Sequence, residues 1–207
     1  HRKETDENKE TKSQKVRLAL VYSVLFFFFT LLSCHQTQQE KGTSGMQADS
    51  VYLKKGDQLV AATFDTLRNS LLAAIGEQGF AYAIQFCNEK AYTLTETYAI
   101  DGVRIKRVSM QYRNPSNQPD SLELAVLETF QTEGPRTQLI YTPGEVHYVK
   151  PISMQAMCLN CHGLPNVHIK PETLHAIQTN YPADKATGYA EGDLRGIWHI
   201  IFPANPR

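Results

Sequence analysis

The chain has no excess of charge of either sign: its 207 residues carry 21 Lys and Arg against 21 Asp and Glu. A basic surplus, which is the usual electrostatic footprint of a nucleic-acid-binding protein, is therefore absent, and no nucleic-acid partner is expected. Hydrophobic residues make up 42% and charged residues 20%, which is the composition of a globular protein. The length favours one folded domain with appendages over two full domains.

Cysteine is scarce as well, with only Cys34, Cys87, Cys158 and Cys161 in the whole chain. Cys158 and Cys161 form the only Cys-x-x-Cys pair, so a zinc site built from two such pairs is excluded, and the histidines that follow are not spaced like zinc ligands. The βαβ setting of a thioredoxin-like redox disulfide is also absent. Zinc and disulfide chemistry are thus both disfavoured for this pair.

The pair belongs to the motif Cys158-Leu-Asn-Cys161-His162. Two thiols at this spacing can reach both vinyl groups of one haem, and the histidine that follows at once lies beneath the iron, which is the c-type attachment pattern. The motif predicts one covalently bound haem c, held by Cys158 and Cys161, with His162 as an axial ligand.

No apolar run reaches the roughly 20 residues that a transmembrane helix needs. The run from Leu18 to Leu32, which follows Lys15 and Arg17, has the length of a signal-peptide core, and an uncleaved signal anchor is the alternative. It ends in Leu31-Leu32-Ser33-Cys34, which resembles a bacterial lipobox. We expect a signal peptide over 1–33, lipidation of Cys34, a flexible tether over 34–55 and a haem domain over 56–207. The protein is then an exported lipoprotein, anchored to a membrane and facing the periplasm or cell surface.

The rest of the chain alternates between helical and strand-like patterns. Helical spacing of apolar residues predicts two helices between Gly56 and Tyr98, broken near Gly76 to Gly79. The later elements predicted are a strand over 102–108, a helix over 122–130 capped by Asp120 or Ser121, a hairpin over 138–152, a helix from Pro171 and a strand over 192–202. This order indicates an α+β domain around an antiparallel sheet.

Cys87 is the cysteine that neither the lipobox nor the haem motif uses. It lies on the apolar stripe Phe80, Ile84, Cys87, Ala91 and Leu94. It is either a small buried hydrophobic residue or, if this stripe faces the haem, the sixth iron ligand. On sequence alone, other side chains compete for the sixth position, namely Met110, His147, His168, His175 and His199.

Several segments resemble the small single-haem, PAS-like cytochrome domains of bacteria. They are Ala83–Cys87, Arg107–Pro115 with Asn117 and Pro119–Asp120, Lys150–Ile152, Cys158–Gly163, Tyr181–Tyr189 and Gly192–Trp198. The resemblance implies a PAS-like antiparallel sheet with long N-terminal helices and a covalently bound c-type haem. It also implies that the axial ligands are His162 and Cys87.

Arginines near the resembling segments are candidates for contacts with the haem propionates, because a guanidinium group suits a carboxylate. We expect this role for Arg107 and Arg113, whereas Arg104 and Lys106 fit a solvated strand face. Asp184, Asp193 and Arg195 lie in glycine-rich sequence that they can brace, and Trp198 fits a core position.

A thiolate ligand stabilises Fe(III) over Fe(II), so the expected reduction potential is low. A redox or gas sensor is therefore the first functional hypothesis, with a diatomic gas as ligand and an unidentified redox or signalling protein as partner. An electron-transfer cytochrome c is the alternative. A haem enzyme of peroxidase type ranks third, so enzymatic activity is not the main expectation.

Overall fold

The computed structural model describes residues 36–203, with side chains from residue 45 onward except that of Tyr92. The predicted signal peptide and Cys34 lie outside the described residues. The chain divides into two compact units, His1–Asp49 and Ser50–Arg207, and the fold and the site below belong to the second. Within residues 36–203, no helix is both long and apolar enough to cross a membrane.

The first helix, α1, covers Gln36–Glu96 and therefore begins inside the segment predicted as a tether. It is interrupted at Gln78 (φ −141°, ψ 18°) and Gly79 (φ 79°, ψ −173°). A glycine adopts positive φ without the steric penalty of a Cβ atom, so the break falls where the chain tolerates it best. The predicted pair of helices separated near Gly76 to Gly79 is confirmed.

Within residues 36–203, four strands form one antiparallel sheet. They are β1 (Arg104–Val108), β2 (Gln138–Thr142), β3 (Glu145–Ser153) and β4 (Leu194–Pro203). Their spatial order is β1-β4-β3-β2, so the last strand of the chain lies between the first and the third. The tight connection between β2 and β3 contains Gly144 with φ 83°. The predicted α+β class, with its hairpin and C-terminal strand, is confirmed.

In the described part of the chain, three shorter helices connect the strands: α2 (Ser121–Glu133), α3 (Leu159–His162) and α4 (Pro171–Asn180). Asp120 caps α2, because its carboxylate accepts from the backbone N–H of Glu123 while the Glu123 carboxylate accepts from the N–H of Asp120. Single 3-10 turns cover Pro115–Asn117 and Ala156–Cys158. The second of these turns leads directly into α3, which carries the end of the haem motif.

The two faces of the sheet pack against different helices. Tyr148, Trp198 and Ile200 lie on the face that packs against Val60 of α1. Val149 and Ile197 point the other way and pack against α2. This alternation follows from the period of two residues in a strand. Trp198 is 5% exposed and lies in the core, as expected.

Gly56 lies where α1 packs closely against the sheet. A Cβ atom at this position would overlap the ring of Tyr148, whose side chain is fully buried. We expect Gly56→Ala to lower the free energy of unfolding by about 1–3 kcal/mol through overpacking. Gly76→Ala, on the same helix with open space around it, is the control and should raise that free energy by about 0.5–1 kcal/mol. Equal effects of the two substitutions in chemical denaturation would contradict this packing.

A buried polar network lies between the sheet and α2. His147 Nδ1 and His199 Nε2 are 2.9 Å apart, and His199 Nδ1 donates to Glu123 Oε1 at 2.7 Å. Lys106 also forms an ion pair with Glu123. Burial by itself raises the pKa of Glu123, but the hydrogen bonds from His199, Lys106 and the Asp120 backbone outweigh it and lower this pKa to about 2. The carboxylate is thus ionised in the folded protein at any moderate pH.

This network predicts a pH-dependent stability. Because the pKa of Glu123 is lower in the folded than in the unfolded chain, its contribution is complete above about pH 5 and is lost as the pH falls towards 2. Glu123→Gln should therefore lower the free energy of unfolding by about 3 kcal/mol at pH 7. Acidification should then reduce the stability of this variant less than that of the wild type. Glu133→Gln, at an exposed site on the same helix, should change neither. Denaturant titrations at pH 7 and pH 3 that show the same acid loss in wild type and Glu123→Gln would contradict the prediction.

Candidate functional site

Two adjoining cavities of about 230 Å³ each lie between α1, the strands β1 and β4, and the haem motif. They share several lining residues, so they form two lobes of one site. The shared residues include Cys87, Arg107, Cys158, His162 and Arg195. The helix α1, the motif and the resembling segments therefore meet at one place.

The motif cysteines reach the site through two short helical segments. The 3-10 turn that ends at Cys158 continues into α3, so Cys158 and Cys161 are three residues apart on one helical face. Both line the first lobe, and neither forms a disulfide. Burial raises the pKa of the Cys161 thiol to about 11. The Cys161 thiol is thus protonated at neutral pH.

His162 is held by a backbone contact that defines its tautomer. Its Nδ1 donates to the carbonyl oxygen of Ala186 at 2.7 Å. Burial lowers the pKa of this imidazole well below its usual range, and the charges of Arg113 and Arg195 lower it further. With the proton on Nδ1, Nε2 keeps its lone pair, which is the arrangement found for metal-ligating histidines.

Cys87 lies in the part of α1 that follows the break at Gly79, and it lines both lobes. Ala83 and Ile84 are buried beside it. Burial raises the pKa of the Cys87 thiol, while the nearby charges of Arg107 and Arg113 lower it. A metal ion deprotonates a thiol that it binds, so this environment does not prevent ligation.

Arg107 lines the site with a buried hydrogen-bond donor that no described residue accepts. Its guanidinium lies 5.8 Å from the centre of the Trp198 ring, and one of its terminal nitrogens is 3.4 Å from the Ala91 carbonyl. Its Nε is buried without a hydrogen-bond partner among the described residues. A buried cation with an unused donor in a ligand cavity fits a carboxylate, such as a haem propionate.

Arg113, in contrast to Arg107, has hydrogen-bond partners within the protein. Its Nε donates to Asp184 Oδ1 at 2.9 Å, and its Nη2 donates to the Cys161 carbonyl at 2.6 Å. Arg195 also lines both lobes, with its guanidinium 5.4 Å from the centre of the Tyr189 ring. Our sequence analysis placed Arg195 only as a loop brace. The signal that could have found it is a charged arginine in residues 194–202, where His199 is the only other polar side chain.

Comparisons with known proteins identify the family of this chain. The profile of the Tll0287-like family matches residues 47–203. The chain belongs to the Tll0287-like family. The structure also resembles the crystal structure of the cyanobacterial heme-protein Tll0287, with a TM-score of 0.52 and 26% identity, over 72% of this chain and 94% of that one. A search of curated proteins found no match.

The competing ligands of the sequence analysis lie elsewhere in this Tll0287-like domain. His147 and His199 belong to the network under α2, His168 Nδ1 accepts from the Leu164 N–H, and His175 is exposed. Met110 Sδ accepts from Gln131. Within residues 36–203, none of these five side chains lines the two lobes, whereas Met157 lines both and Met154 one.

Proposed function

We propose that this Tll0287-like domain binds one haem c, with thioether bonds from Cys158 and Cys161 and with His162 and Cys87 as axial ligands. We further propose that it acts as a redox or gas sensor in an exported lipoprotein. The observation that carries the proposal is the convergence of these four side chains on one site. The related crystal structure, described as that of a heme-protein, adds support.

The residues around the site suit a haem in their charge and their apolar character. Arg107 offers a buried guanidinium with an unused donor, which suits a propionate. The Ile84, Leu71 and Phe80 side chains supply an apolar wall on α1. When bound, haem supplies a one-electron redox centre and an iron that can bind a diatomic gas.

The chain's own residues account for the proposed ligation. Cys158 and Cys161 would each supply the thiol for one thioether bond, with sulfur and hydrogen added across a haem vinyl group. His162 presents Nε2, since Nδ1 is occupied by the Ala186 carbonyl. Cys87 supplies an anionic sulfur, whose charge the neighbouring Arg107 offsets.

Electron transfer is the alternative function, and one observation favours it. Leu164 and Val167, which follow the haem motif, are 47% and 72% exposed. Large exposed apolar patches mark protein-contact surfaces, and these two residues would form part of such a patch. Such a surface beside the motif suits a redox partner protein.

Spectroscopy of the purified full chain tests the proposal. We expect a pyridine haemochrome of c type, a low-spin ferric EPR signal, and binding of carbon monoxide to the reduced protein. Haem without carbon monoxide binding, with the same ligands in both oxidation states, would favour the electron carrier. Protein matured in a host with c-type attachment machinery that contains no haem would refute both functions.

The proposed membrane anchor leads to a separate prediction. Cys34→Ala should leave the precursor uncleaved and without acyl chains, because the lipidated residue is absent. Mass spectrometry of membrane fractions measures both changes, and Cys87→Ala is the control that keeps the lipid. An unmodified Cys34 thiol in the mature wild-type protein would refute the anchor.

A further inference from the structure

A buried ion pair lies directly behind the haem motif. Arg113 and Asp184 have side chains that are each 9% exposed, and they come from segments 71 residues apart in the chain. Besides its bond from Nε, Arg113 places Nη2 3.4 Å from Asp184 Oδ2. The guanidinium and the carboxylate therefore form a two-point contact, which fixes the plane of both groups.

The same guanidinium also contacts two backbone carbonyls next to His162, one in the preceding peptide group and one that accepts from its ring. Arg113 Nη2 donates to the Cys161 carbonyl at 2.6 Å and to the Ala186 carbonyl at 3.3 Å. The Cys161 carbonyl belongs to the peptide group that leads into His162. The Ala186 carbonyl is the acceptor for His162 Nδ1. Arg113 thus contacts both the backbone that carries the imidazole and the carbonyl that accepts from it.

Asp184 completes this arrangement from the other side. Its Oδ1 accepts from the backbone N–H of Ala186 at 3.1 Å, so the carboxylate positions the residue whose carbonyl accepts the hydrogen bond from His162. The loop that follows Ala186 is also attached to the haem motif by backbone hydrogen bonds that do not involve the ion pair. Tyr189 N–H donates to the His162 carbonyl at 3.0 Å, and Gly188 N–H donates to the Gly163 carbonyl at 2.9 Å. Loss of the ion pair therefore leaves two backbone bonds that keep the loop in place.

We propose that Arg113 and Asp184 are positioning residues that fix the His162 imidazole and balance the charge beside the iron that it would bind. The inference rests on the haem function proposed above. It gives Arg113 a different role from that of Arg107, whose Nε has no partner within the described residues. Arg107 faces the propionates, whereas Arg113 acts through His162.

The physical consequence is a pair of opposite shifts in reduction potential. A buried carboxylate near the iron favours Fe(III), and a buried guanidinium favours Fe(II), because charges interact strongly where water is excluded. Asp184→Asn should therefore raise the potential, and Arg113→Gln should lower it. The double variant Arg113→Gln/Asp184→Asn should return close to the wild-type potential. All three should give a broader ferric EPR signal, since the imidazole is less firmly oriented.

The experiment combines redox titration and EPR of the holoproteins. Arg113→Lys keeps the charge but loses the planar fork, so it should show a broader EPR signal at a nearly unchanged potential. Arg113→Lys and the double variant both keep the net charge of the pair. They test the inference even if the single charge-changing variants fold poorly. Arg104→Gln and Glu145→Gln remove an exposed ion pair on β1 and β3 and should leave both readouts unchanged.

The outcomes separate this inference from the proposed function. Single variants that shift the potential in the same direction, or charge-balanced variants with the wild-type EPR signal, would overturn the positioning role alone. Wild-type protein without haem would overturn the proposed function and this inference together.

Discussion

Replacement of both Cys158 and Cys161 by serine should abolish the covalent haem adduct completely. A hydroxyl oxygen does not replace the thiol in forming the bond to a vinyl group, so any haem that remains is held by coordination and packing alone. The single variants should each keep one bond, because the two thiols react separately. The expected order of covalently bound haem is wild type, then either single variant, then the double variant with none.

Denaturing mass spectrometry measures the adduct directly, and the pyridine haemochrome spectrum reports the number of vinyl groups that remain. Cys87→Ala is the matched control: it also removes a cysteine from the wall of the site, but it lies outside the motif. It should retain the full covalent adduct. A haemochrome of normal c-type position in Cys158→Ser/Cys161→Ser would contradict the attachment.

Secondary-structure elements that depend on a few neighbouring residues could be predicted closely from the sequence. The break in α1 falls at Gln78 and Gly79, Asp120 and Glu123 cap the start of α2, and a tight turn with Gly144 joins β2 and β3. Each of these signals acts over a few residues. Boundaries were less exact, since the last strand begins at Leu194 rather than Gly192 and α2 runs on to Glu133.

Contacts between distant segments could not be predicted in the same way. His147 meets His199 only because β3 pairs with β4 in the observed register, and a shift of one residue would place them on opposite faces. The contrast between Arg107 and Arg113 also depends on tertiary structure. Both arginines suited a propionate on sequence grounds, but Asp184, far along the chain, decides which one is already occupied.

Substitution of Cys87 gives the sharpest test of the sixth ligand. A thiolate bound to Fe(III) gives a low-spin spectrum with a charge-transfer band in the near infrared. Cys87→Ser should lose this band entirely. It should also raise the reduction potential by on the order of 0.1 V, because an anionic ligand that stabilises Fe(III) has been removed.

The matched control is Ala83→Ser, one helical turn earlier on α1. Ala83 is fully buried and lines the same cavity, so this variant adds a hydroxyl group to the site while keeping the sulfur of Cys87. It should retain the near-infrared band and a potential close to that of the wild type. If folded Cys87→Ser instead keeps the wild-type ferric spectrum, Cys87 is a core residue and the ligand must be sought elsewhere.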